Sequence, residues 1–133
     1  MGRVCGRKHF IRTLTGRFPE VVAAIDECAR GLLHCEMGTF ARATQATLDR
    51  GDFVTARAHF ECAESLLRVA GPALANALAV SYLENIEFDK HYGRAFPARE
   101  MLPPALQDEL VELEEHLRKL FAPPIRQGNV RKT

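Results

Sequence analysis

The sequence predicts an all-α protein, a single compact bundle of about five helices. Three observations carry this reading. Apolar residues recur at steps of three and four, as in Phe53, Ala56, Phe60, Ala63, Leu67 and Ala70. Strand signals do not compete, because β-branched residues are few and period-two alternation is absent. Glycine and proline fall between the periodic stretches, at Gly51, Gly71-Pro72 and Pro103-Pro104, where helices stop and restart.

Residues 1–7 read as a disordered basic end. After them, Phe10, Ile11 and Leu14 make a short helix or arm facing the body. Phe18-Pro19-Glu20 is a helix start, with proline pre-set for the first helical position and an acid in the first turn. Two helices follow, roughly 19–30 and 32–50, with the boundary at Gly31. Gly51-Asp52 supplies the next turn and N-cap. The helix 53–70 alternates large and small residues on one face. Its outer face pairs Arg57 with Glu61 and Glu64 with Arg68.

From Pro72 to about residue 87 the chain is apolar nearly all round, which places this helix in the middle of the bundle. Ser81 and Asn85 on it need partners if buried. Residues 88–102 form an irregular connection. Pro103-Pro104 opens the last helix, whose seam is Leu106, Leu110, Leu113, Leu117 and Leu120. Pro123-Pro124 ends it, and a basic, mobile end is expected over 124–133. The ordered body of the single domain is therefore expected over about 9–122.

The 133 residues suffice for one domain with a real core. No apolar run is long enough for a membrane span. The N-terminus has no uninterrupted apolar segment of the signal-peptide kind, so a cytoplasmic location is expected. The four cysteines, Cys5, Cys28, Cys35 and Cys62, are irregularly spaced and are expected to be reduced thiols. A net charge of +1 hides an asymmetry: all 17 acidic residues lie between basic ends that contain none. Such an acidic body attracts a basic partner and repels a nucleic-acid duplex.

The 51–70 stretch resembles the second half of a tetratricopeptide repeat, with Phe40 standing where that motif's first aromatic falls. No second copy follows 34 residues on, so the resemblance covers one helical hairpin and not an array. A wider resemblance rests on Gly31-Leu32-Leu33-His34-Cys35-Glu36-Met37-Gly38-Thr39-Phe40, on the run from Asn76 to Ile86, and on Leu102-Pro103-Pro104. These segments resemble a family of small all-helical bacterial proteins of unknown function, over about residues 9–121. The resemblance implies an all-helical fold and no established activity. Families of this kind include immunity proteins that neutralise bacterial toxins, and this analogy raises that expectation.

Three chemistries can be weighed on the residues. Cys28, Cys35, His59 and Cys62 could supply a mixed zinc shell, but the close ligand pairs of structural zinc are missing. His34 and Cys35 are sequence neighbours and point about 100° apart on a helix, a poor nucleophile–base pair. Glu36, Glu84, Glu87 and Asp89 form a candidate acidic face suited to a basic protein partner. The sequence therefore predicts no enzyme, no cofactor and no metal. It predicts a cytoplasmic protein-interaction module that uses Glu36, Glu84, Glu87 and Asp89, with toxin neutralisation as its specific form. The alternative is a small ligand-binding regulator with a pocket near Ser81 and Asn85, or a Cys/His metalloprotein. The oligomeric state is open.

Overall fold

Phe18-Pro19 sets the first corner of the chain. Proline restricts the residue before it, and Phe18 leaves the helical region (φ −138°, ψ 67°). One helix therefore ends at Arg17 and the next starts at Pro19. The computed structural model describes residues 5–121. Its α-helices are α1 (Arg7–Arg17), α2 (Pro19–Ala23), α3 (Leu33–Asp49), α4 (Phe53–Val69), α5 (Pro72–Ala77) and α6 (Pro104–Phe121). Among the described residues there is no strand, only an isolated bridge between Cys5 and Ala70. The all-α expectation holds.

Of the end expected to be disordered over 1–7, residues 1–4 lie outside the described residues, and Cys5 is held against the body. The Cys5 N–H donates to the Val69 carbonyl (3.2 Å) and the Gly71 N–H donates to the Cys5 carbonyl (2.8 Å), so the chain is tied to the α4–α5 corner. Helix α1 then buries Phe10 and Leu14 completely. The expected mobile end over 124–133 lies outside the described residues.

Helix α2 is much shorter than the expected 19–30. Val21 and Ile25 are buried, but Asp26, Glu27 and Cys28 are exposed. Past Ile25 there is no apolar face left to hold a helix against the body. The α3–α4 hairpin forms as the sequence predicted. Gly51 takes the left-handed conformation (φ 76°) that ends α3. The Asp52 carboxylate then accepts from the Thr55 N–H (3.2 Å) and caps α4.

Helix α5 departs from a single α-helix to residue 87. It continues as a π-helical turn, Leu78–Tyr82, and a 3-10 turn, Leu83–Asn85. Ala77, Leu78, Ala79, Ser81, Tyr82 and Leu83 are all buried. That burial on nearly every side is what the sequence predicted for the run in the middle of the bundle. The centre is aromatic. Phe40 lies 4.7 Å from Tyr82 and 5.3 Å from the His59 ring between centroids, and the Phe18 edge meets His59 at 4.6 Å.

The connection expected over 88–102 is irregular, and it is packed against the body. Ile86 and Phe88 are buried in the core. Gln45 on α3 holds it: Oε1 accepts from the Glu87 N–H (2.9 Å) and Nε2 donates to the Tyr92 hydroxyl (2.8 Å). That hydroxyl donates in turn to the Glu87 carbonyl (2.7 Å). A 3-10 turn, Ala98–Met101, leads into α6, which buries Leu106, Leu110 and Leu113. Leu120, expected in the buried seam, is instead 61% exposed and Phe121 is 76% exposed, because the last turn of α6 runs past the core.

Candidate functional site

Between the segment after the π turn and the inner face of α6 lies a groove of about 500 Å3. Its floor is apolar, with Leu83, Ile86 and Phe88 on one wall and Leu110, Leu113 and Leu117 on the other. Its rim is charged. Glu84, Glu87, Asp89 and Glu114 are set against Lys90 and Arg99, so the rim is net acidic. Three of the four residues expected on a partner surface, Glu84, Glu87 and Asp89, thus meet at one place.

Arg99 spans the groove. Its guanidinium donates to Asp89 Oδ1 (2.9 Å from Nε) on one wall and to Glu114 Oε2 (2.7 Å from Nη2) on the other. These charge-assisted bonds, with Glu114 as the main partner, hold Arg99 above its ordinary pKa. The other local cations are drawn away. The Lys90 ammonium sits 5.1 Å from the Tyr92 ring centroid, and the Arg94 guanidinium 5.3 Å from that of Phe53. Glu84 and Glu87 are exposed, and among the described residues neither makes a salt bridge.

Glu36 does not join them. It is 1% exposed. Arg7 donates to both its oxygens (2.7 Å each), and the Gly31 N–H adds a third bond (2.8 Å). The Arg7 bonds hold its carboxyl below the usual range, against the opposing pull of burial. Glu36 is a structural anchor for α1 and the Gly31 turn.

A second polar cluster lies deep in the core. Thr44 Oγ1 is 3.1 Å from the Phe40 carbonyl, 2.8 Å from His59 Nδ1 and 2.8 Å from the Tyr82 hydroxyl. A hydroxyl has one proton and two acceptor sites. Donating to Phe40, Thr44 accepts from both His59 and Tyr82. This pattern assigns the His59 proton to Nδ1. His59 Nε2 is then a buried lone pair with no partner among the described residues. Burial pushes the His59 pKa down from 6.5 to about 4 and pushes the Tyr82 phenol up. A neutral imidazole walled by rings suits packing.

The remaining candidates do not assemble. Cys28 and Cys35 are exposed while Cys62 is buried and His59 is 2% exposed. Among the described residues no three His, Cys, Asp or Glu side chains converge as metal ligands. Ser81 Oγ lies 2.6 Å from His34 Nδ1, the length of a nucleophile–base contact. Ser81 is, however, 9% exposed, and among the described residues no hydrogen bond orients the far nitrogen of His34. Asn85, expected to share a pocket with Ser81, is exposed and donates to the Ser81 carbonyl (3.0 Å).

Sequence reasoning missed Arg99, Glu114 and Gln45. Their partners lie 10 to 47 positions away, so no local pattern marks them. Among the described residues no helix is long and apolar enough to cross a membrane. Comparison with curated proteins and with solved structures gave no match. One family matches residues 11–118, a span from α1 through the groove-lining part of α6. The chain belongs to that family, described as a domain of unknown function (DUF7674).

Proposed function

We propose that the protein is a cytoplasmic interaction module that binds a basic segment of another protein in the groove rimmed by Glu84, Glu87 and Asp89. One observation carries the reading. A groove with an apolar floor is ringed by acids, and two of those acids have no cation engaged among the described residues. Apolar floors supply affinity by excluding water, while exposed charges steer and select the partner. The α3–α4 hairpin, with its tetratricopeptide-like sequence, supports the same reading, since such hairpins serve as binding scaffolds. In its specific form, the partner is a toxin with a basic surface and the protein neutralises it by covering that surface.

The test needs the native partner. A photo-crosslinking residue at position 87 captures proteins in the source cell, and one at position 57, on the outer face of α4, is the control. With the captured protein in hand, reversing Glu84, Glu87 and Asp89 to lysine weakens binding by at least about tenfold and leaves helicity intact. The association rate falls with added salt, because exposed charge is screened over about 8–10 Å. Unchanged affinity in the triple variant rejects the groove. For the toxin form, the captured partner arrests growth when expressed alone. Growth returns with the wild-type chain and not with the triple variant.

A further inference from the structure

The groove lies beside the end of α6. Leu110, Leu113 and Leu117 line it, and Phe121, the last residue of the helix, is one turn beyond Leu117. That turn is about 6 Å of helix axis. The sequence continues for twelve more residues, 122–133. They open with Pro123-Pro124, which lack the N–H groups that a continued helix needs.

Charge relates this segment to the groove. Residues 122–133 carry Arg126, Arg131 and Lys132 and no acid. The rim sets four acids against Lys90 and Arg99. Arg99 is engaged with Asp89 and Glu114, and Lys90 with the Tyr92 ring. Among the described residues no cation pairs with Glu84 or Glu87. The cations that the rim lacks are those that the next segment carries. Reach is sufficient. Five residues, 122–126, span up to about 16 Å when extended, whereas Leu110 to Leu117 covers about 10 Å of helix axis.

Attachment decides whether so few contacts are enough. Exposed ion pairs contribute little each, so a free peptide of this composition binds weakly. Joined to the chain a few residues away, the same segment has an effective concentration of about 1 mM. With an intrinsic Kd of about 0.1 mM it would fill the groove in about nine chains of ten.

We propose that residues 122–133 occupy the groove of their own chain, with their cations on Glu84 and Glu87, and that a basic partner must displace them. This rests on the reading of the groove as a site for a basic protein segment, and it adds the regulation of that site.

The probe is a labelled synthetic peptide with the sequence of residues 122–133, followed by fluorescence anisotropy. It is titrated into the 133-residue chain and into R126Q/R131Q/K132Q, E84K/E87K and the combined variant, with helicity checked by circular dichroism. R126Q/R131Q/K132Q frees the groove and binds the peptide with a Kd of about 0.1 mM, and the wild type binds it about tenfold more weakly. The combined variant loses that gain. In parallel, a photo-crosslinking residue at position 130 of the wild type joins to 83–90 or 110–117 within one chain, and these links fall away in E84K/E87K.

Equal peptide binding by the wild type and R126Q/R131Q/K132Q, lost in the variants carrying E84K/E87K, overturns the internal contact and leaves the basic-segment reading standing. Crosslinks between two chains, or to other parts of the body, overturn it in the same way. Peptide binding to R126Q/R131Q/K132Q that survives E84K/E87K overturns both the inference and the reading beneath it. No peptide binding to R126Q/R131Q/K132Q overturns the inference, and the captured partner's response to the triple lysine variant then judges the reading by itself.

Discussion

Acid should loosen this protein through one histidine. His59 is 2% exposed, with Nδ1 engaged by Thr44 and Nε2 facing rings. Its pKa is about 4 in the fold against 6.5 when free. Between those values the unfolded chain takes up a proton that the folded chain refuses. Stability from this group therefore falls as pH drops from 7 toward 4 and is retained above about 6.5. From pH 7 to pH 5, a shift of this size amounts to about 2 kcal/mol. Partial relaxation around the charged ring reduces that to about 1–2 kcal/mol. Urea unfolding at half-unit pH steps reads it directly. His59→Asn is the control, since its amide can keep the bond to Thr44 and does not titrate. The variant is less stable at pH 7, but its pH 5 to 7 slope is shallower than the wild type's by that amount. A flat wild-type profile over this window, or the same slope in both proteins, would refute the account of His59 as a buried neutral base.

Two further outcomes follow from packing and pairing. Phe60→Ala should destabilise by about 3–5 kcal/mol because the ring is wholly buried, whereas the exposed Glu61→Ala should change stability by less than about 0.5 kcal/mol in the same urea titrations. Equal effects would mean that the buried face of α4 is wrongly placed. Glu36→Gln should cost about 2 kcal/mol, below the figure for fully buried pairs because Arg7 is 40% exposed. It should also speed amide exchange in α1 more than in α4, and uniform exchange would contradict the anchoring role.

Much of the fold was legible because its signals are local. Gly51-Asp52 fixes the α3–α4 turn through a left-handed glycine and a carboxylate that caps the amide only three residues on. Pro104 opens α6 as its first residue. The acids Glu84, Glu87 and Asp89 were placed together because they are neighbours in sequence, and the groove does bring them together. What failed depended on distant partners. Glu36 looked like a surface acid until Arg7, 29 residues earlier, reached it. The early stop of α2 reflects what lies beneath Ile25 and not the helix propensity of residues 26–30. The π turn at Leu78–Tyr82 carries Tyr82, whose hydrogen-bond partner Thr44 lies 38 positions earlier, and the alanine-rich run holds no marker for it.

Arg99 has a consequence for binding entropy. By bridging Asp89 and Glu114 it ties the two walls together, and on the proposed reading of the groove their separation is set before a partner arrives. A cleft whose walls had to be drawn together would lose configurational freedom on association, and that loss would subtract from affinity. Here the ordering has already occurred during folding. Removing this tie with Arg99→Ala would leave the floor and the acids in place. The aperture would then fluctuate, and the entropic penalty would move from the folding reaction into the binding reaction.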